Sequence, residues 1–306
     1  MKFLHFILIA SAISWCHVAS GWAIQQPIAI IYPDVAEPYG SIFRKIVGGI
    51  EDELVDNVEI YSVRQETDVE RIRNRVGQES FGAIIALGRG GIFATRSIGT
   101  HLPVVVGALP LTPSEKSGIS LEPDPAILFS RLNQLAPHIK RIRVVYSSRN
   151  QWLIRLAEEV ARERSMVLLA EQVEDLRSAV HRYRVILQDV DPLRDAIWVP
   201  LDSVTSNEEV ILPLLLQTSW DKRILMFSSK PSHAQRGALF SMYPDYYGLG
   251  CSLARMARKT VENPKFSEVL PLRDLKMAVN LRTAAHIGLR FSTRQQEDFK
   301  LVFPAR

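Results

Sequence analysis

Short apolar runs rich in β-branched residues alternate along this chain with longer stretches in which apolar residues recur every three or four positions. In the first half the runs Ile28–Tyr32, Val58–Val63, Gly82–Leu87 and Val104–Val106 predict strands. Helical periodicity between them predicts helices near Ser41–Leu54, Asp68–Val76 and Ile92–Ile98. Pro, Gly and Ser then concentrate between Pro110 and Pro125, which predicts a segment crossing between domains. The second half repeats the rhythm with strands Ile142–Tyr146, Met166–Ala170, Ala196–Pro200 and Ile224–Phe227. Helices Gln151–Arg164, Leu176–Leu187 and Asn207–Ser219 lie between them. Strands alternating with helices are the mark of parallel βαβ units. Two successive four-strand units predict an α/β chain of two Rossmann-like lobes, each with a parallel sheet.

The N-terminus breaks this rhythm. Lys2 precedes an apolar run, Phe3 to Ala19, and Gly21-Trp22-Ala23 offers small residues where a signal peptidase needs them. Residues 1–23 therefore read as a secretory signal peptide, with Ile24 as the mature start and the periplasm as destination. Lipid anchoring through Cys16 is disfavoured, because Trp15 stands where the lipoprotein peptidase takes a small residue. Cleavage leaves Cys251 as the single cysteine, which excludes an intramolecular disulfide and suits a small apolar packing group. The net charge of +4 includes Lys2. Arg71, Arg73 and Arg75 alternate with Asp68, Glu70 and Glu79, a solvated helix face and not a nucleic-acid stripe. Nucleophile elbows, zinc-ligand spacings and phosphate loops are missing, and His101, His138, His181, His233 and His286 are scattered. These absences argue against catalysis, and no cofactor is expected.

Ser232 to Gly250, SHAQRGALFSMYPDYYGLG, is the most specific stretch, followed by Met277–Ser292, MAVNLRTAAHIGLRFS. Gly237-Ala238-Leu239, the turn Tyr243-Pro244-Asp245-Tyr246, Leu249-Gly250, Asn280-Leu281, Ala284-Ala285 and Gly288 together resemble the C-terminal signature of ABC-transporter substrate-binding proteins. That family includes binders of tryptophan and other aromatic amino acids. The resemblance implies a type I periplasmic binding fold, two lobes joined by a hinge. The chain would return to the first lobe near Phe240–Pro244, form a helix over Tyr246–Val261, and cross again near Pro271. Lobe one then comprises 24–118 plus about 243–270, and lobe two 119–242 plus about 271–306. It implies a monomer that captures a small organic molecule, such as an amino acid or related carboxylate, and delivers it to an ABC permease. The alternative is a periplasmic sensor that signals to a membrane receptor.

In doubly wound sheets ligands lie beyond the carboxyl ends of the strands. Tyr32, Asp34, Gly88 and Arg89 in lobe one, and Arg149, Asn150, Asp202, Ser203 and Ser229 in lobe two, follow strands and are candidate ligand contacts. Tyr243 and Asp245 join them from the crossing. Each has a structural alternative. Gly88–Gly91 suits a tight strand-to-helix turn, Asn150 and Asp202-Ser203 suit helix capping, Arg149 suits an exposed surface, and Tyr246 suits packing on lobe one. Either Arg89 or Arg149 is expected to pair with an anionic group of the ligand, while Asp34, Asp202 or Asp245 could hold an amine. Trp198 within an apolar strand, and Trp152 and Trp220 on amphipathic helices, read as core.

Overall fold

A computed structural model of the protein describes residues 26–55, 57–113 and 116–304. The leader expected over 1–23 lies outside them. The first sheet collects β1 (Ile28–Pro33), β2 (Val58–Val63), β3 (Ala83–Leu87), β4 (Val104–Gly107), β5 (Ser117–Pro123) and β11 (Val269–Leu272) in the order β11-β5-β4-β3-β1-β2, all parallel. The second collects β6 (Arg141–Ser147), β7 (Val167–Val173), β8 (Asp195–Val199), β9 (Leu225–Ser228), β10 (Phe240–Pro244), β12 (Leu275–Asn280) and β13 (Phe299–Phe303) in the order β13-β12-β10-β9-β8-β6-β7. Only the β10–β12 pairing is antiparallel there. These are the two lobes of a type I periplasmic binding fold.

Helices cover both faces of each sheet. In lobe one α1 (Tyr39–Leu54) and α9 (Tyr246–Glu262) cover one face and α2 (Glu66–Gln78) with α3 (Gly88–Ile98) the other. In lobe two α4 (Pro125–Leu135) and α5 (Gln151–Glu163) lie opposite α6 (Leu176–Asp189) and α7 (Ile211–Lys222). The short helices α8 (Pro231–Arg236), α10 (Leu281–His286) and α11 (Thr293–Glu297) serve lobe two. Central strands such as β3, AIIAL, are buried throughout because helices cover both faces. Edge strand β2, VEIYSV, alternates and stays partly open. Trp198 is fully buried, edge-on to Phe129 and stacked on Phe227.

Several bounds differ from the expectation. The Pro110–Pro125 segment contains β5, which pairs with β4 and β11, so the first crossing falls at Asp124. β10 stays in the second sheet, and the chain reaches lobe one only at Asp245. The third crossing follows Leu272, since β11 pairs with β5. Helix α7 begins at Ile211 because Asn207 accepts the amides of Glu209 and Val210 in a preceding turn. Trp220 is 37% exposed instead of buried, its ring stacked 3.7 Å from His286.

The crossings are tied together by charge. Asp124 caps α4 through the Ala126 amide and pairs with Arg273 at 2.9 Å. Asp245 pairs with Lys276 at 2.8 Å and its amide donates to Asp274 O. A carboxylate opening each of the first two crossings therefore meets a cation at the third crossing or on β12 just beyond it.

Candidate functional site

Both lobes run outward from their first strand in opposite directions, β1 lying between β2 and β3, and β6 between β7 and β8. A crevice opens at such a reversal because the helices that follow the two strands leave on opposite faces of the sheet. In lobe one the reversal places Tyr32, Pro33 and Asp34 beside Gly88 and Arg89. In lobe two it places Ser147 to Asn150 beside Leu201 to Ser203. Arg149 Nη2, at the lobe-two reversal, donates across the lobes to Pro110 O at 2.9 Å, in the segment after β4 of lobe one.

The lobe-one wall is aromatic and carries an unengaged cation. Tyr32 lies 6.2 Å from Phe43, ring to ring. Gly88 adopts φ 64 where β3 turns into α3, and a Cβ there would stand 3.0 Å from Phe43 Cζ. The strand-to-helix turn is thus real, and it delivers the start of α3 to the crevice. Arg89 is exposed and has no hydrogen bond or ion pair among the described residues. Tyr39, which opens α1, and Phe93, in the second turn of α3, are 66% and 64% exposed. Asp34 is engaged elsewhere, since its carboxylate meets Arg64 at 2.8 Å.

The lobe-two wall is organised by Asp202. Its Oδ2 accepts from Ser147 N and Oγ at 2.8 and 2.7 Å and from Asn150 Nδ2 at 3.2 Å, while Oδ1 accepts from Val204 N and Thr205 N. At 4% exposure this carboxylate joins the loop after β6 to the loop after β8 and is saturated by the protein itself. Asn150 does not cap α5; its amide donates to Leu201 O and Asp202, leaving Oδ1 without a partner among the described residues. Ser203 is exposed, whereas Ser229 is buried with an unpartnered Oγ. Tyr243 is half-buried on β10, its phenol pushed up by burial and by the Asp245 charge. Asp245 is bound to Lys276 and belongs to the hinge.

Sequence reasoning missed Phe43, Glu122 and Pro110. A carboxylate amid the run ISLEP was the available signal for Glu122, which is fully buried. Burial pushes its carboxyl up, against the Ser120 hydroxyl, the main chain and the Arg149 charge. Among the described residues no group of three or more His, Cys, Asp or Glu could hold a metal ion. No helix among them is long and apolar enough to cross a membrane. The arrangement is suited to holding a small solute between an aromatic, cationic wall and a polar one.

The profile of the family described as ABC transporter substrate binding protein matches residues 46–295. No curated protein sequence matches significantly. Among solved structures, the fold is similar to a ligand-free, open substrate-binding protein with adhesive properties from Clostridium difficile, with TM-score 0.61 and 15% identity, covering 92% of this chain and all of that one. It is also similar to an ABC domain in complex with L-Trp from Streptococcus pneumonia, with TM-score 0.52 and 17% identity, covering 90% and 100%. A conserved domain protein from Vibrio cholerae gives TM-score 0.51 at 16% identity, covering 91% and 100%. With the family profile spanning most of this two-lobed chain, the protein is a member of the ABC transporter substrate-binding protein family.

Proposed function

We propose that this chain is the periplasmic solute-binding subunit of an ABC importer, which captures a small carboxylate bearing an apolar or aromatic part and presents it to a permease. The observation that carries the ligand class is Arg89, exposed at the lobe-one reversal without a protein partner among the described residues, next to Gly88 with its Phe43 neighbour and one helical turn from the exposed Phe93. A guanidinium offers two parallel charge-assisted hydrogen bonds to a carboxylate, and aromatic side chains add apolar area with little lost freedom. The L-Trp bound to the pneumococcal neighbour is consistent with that class. On the second wall, Ser203 and Ser229, which follow β8 and β9, and Tyr243 near the end of β10 are the polar groups that would orient the solute. Export by the N-terminal leader supplies the compartment. Binding is the whole task, because a solute that touches both walls favours the closed arrangement without any bond being made or broken.

A melting-shift screen across amino acids, aromatic acids, nucleobases and short peptides tests this, since a solute that binds only the folded state raises apparent stability. Carboxylates are expected to give the shifts, and calorimetry on Arg89→Ala should then show a loss of about 2–5 kcal/mol in binding. Stabilisation confined to neutral or cationic solutes, or full affinity in Arg89→Ala, would sink the ligand class.

A further inference from the structure

The end of lobe two remote from the crevice holds a hollow of its own. β10 runs from Phe240 to Pro244 and β12 returns antiparallel to it, so Phe240 and Asn280 share the end of the sheet opposite Tyr243. There the second half of α7, the close of α8, the start of α10 and the end of β13 surround a cavity of about 620 Å³. That volume suits a small organic molecule and exceeds what an inorganic ion fills. Leu216, Trp220 and Phe303 supply apolar lining, and the charged residues that line it, among those described, are Arg236 and Arg282.

The walls are fixed by the protein itself. His286 of α10 stacks on Trp220 of α7 at 3.7 Å with 3° between the ring planes, and its Nε2 donates to Trp220 O at 2.8 Å. Asn280 Nδ2 donates to Ala234 O at 2.8 Å and Thr283 Oγ1 to Gly237 O at 3.0 Å, which ties α10 to α8. The cations are less engaged. Arg282 is exposed, lies 5.3 Å from the Trp220 ring centroid and has no hydrogen bond or ion pair among the described residues. A guanidinium over an indole keeps its in-plane N–H groups for a further partner. Arg236 reaches Glu208 only loosely, its Nη1 lying 3.5 Å from the main-chain oxygen and 3.9 Å from Oε2.

A hollow with two guanidiniums, no lining carboxylate among the described residues and a pre-set aromatic wall favours an organic anion over a cation or a neutral solute. We propose that this cavity is a second ligand site, separate from the interlobe crevice, for a small carboxylate with a flat apolar body. Arg282 takes the carboxylate, and Trp220 with Phe303 covers the body. The site shares no residue with the crevice, so its test and the solute screen succeed or fail separately.

The probe is para-fluorophenylacetate, titrated onto the Arg89→Ala protein, which lacks the free guanidinium of the crevice, and followed by fluorine nuclear magnetic resonance. Saturable line broadening is expected. Adding Arg282→Ala should weaken binding about tenfold, the loss of a hydrogen-bonded charged partner, whereas adding Arg282→Lys should weaken it less. Adding Trp220→Leu should weaken it as well. The neutral para-fluorophenylacetamide should bind the Arg89→Ala protein weakly and without regard to Arg282. Absence of saturable binding, equal affinity with and without the Arg282 side chain, or equal affinity for acid and amide would each overturn the site. Displacement of the probe by equimolar inorganic phosphate would overturn the assigned ligand class. Circular dichroism checks that each variant is folded, and if Trp220→Leu is not, the exposed Arg282 pair of variants decides.

Discussion

Two buried side chains show how single residues set both the geometry and the pH response of lobe two. Asp202 satisfies three main-chain or side-chain donors of the loop after β6 and two amides of its own loop, all away from solvent. Removing it strands those donors, and buried unsatisfied donors cost far more than a surface bond is worth. Asp202→Ala is expected to lower stability by about 2–4 kcal/mol, read from the urea midpoint, with an intact far-ultraviolet spectrum in water. A loss below the measurement error would show that the loops hold without it. His233 is buried on α8, and neither ring nitrogen has a hydrogen-bond partner among the described residues. Burial, with Lys230 and Arg236 outweighing Glu208, pulls its pKa from 6.5 down to about 4. A histidine depressed in the folded state binds its proton first in the unfolded chain, so its contribution is whole above pH 6.5 and is lost as pH falls towards 4. The span corresponds to about 3 kcal/mol at most. Stability of the parent protein should therefore drop between pH 6.5 and 4 more steeply than that of His233→Leu, and parallel curves would dismiss the assignment.

At the scale of elements, the pairing of α1 with α9 is the contact that brings the C-terminal part of the chain back to lobe one. The two helices meet backbone to backbone. A Cβ on Gly250 would lie 2.1 Å from Ile46 O and 3.0 Å from Ile50 N, and one on Gly49 would lie 2.1 Å from Tyr247 O. Main chain cannot swing aside as a flexible side chain can, so a single methyl must separate the helices. Helix propensity alone favours alanine over glycine by about 1 kcal/mol, yet overpacking of this kind costs about 1–3 kcal/mol, and backbone on both sides places the cost at the upper end. Gly250→Ala should be destabilising by thermal melting. A rise in melting temperature would mean that the helices relax freely. The motif Leu249-Gly250 that marked the family in the sequence thus has a packing reason: Leu249 fills the core of lobe one while Gly250 admits α1.

The whole molecule consists of two similar sheets joined by crossings whose charges interlock. Asp124 with Arg273 and Asp245 with Lys276 link the segments at which the chain passes between the sheets. A solute from the melting-shift screen is expected to reduce the radius of gyration in small-angle scattering, because closure buries both strand reversals. An unchanged radius at saturating solute, with binding confirmed by calorimetry, would speak against rotation from an open state. Lys276→Gln should leave the fold intact and broaden the range of interlobe distances in the absence of solute.

The α/β class, the two-lobed plan and the positions of most central strands were legible in the chain, because buried strands such as Ile28–Pro33 and Ala83–Leu87 are written as continuous β-branched runs and the helices between them as 3.6-residue periods. The resemblance carried by Gly237 to Gly250 identified the family. Elements whose stability comes from distant partners were not legible. β5, SGISLEP, is polar-interrupted and β11, VLPL, is a four-residue run broken by proline, and both become strands by pairing with each other about 150 residues apart in sequence, the span from Gly118 to Val269. The roles of individual polar residues were decided by the fold alone. A sequence cannot show that Asp202 is saturated by amides from another loop, that Asp34 and Asp245 are taken by Arg64 and Lys276, or that Arg149 is held by Pro110 while Arg89 stays free. Hydrogen-bond satisfaction is a property of spatial neighbours, and neighbours across a hinge are fixed only once both lobes have folded and met.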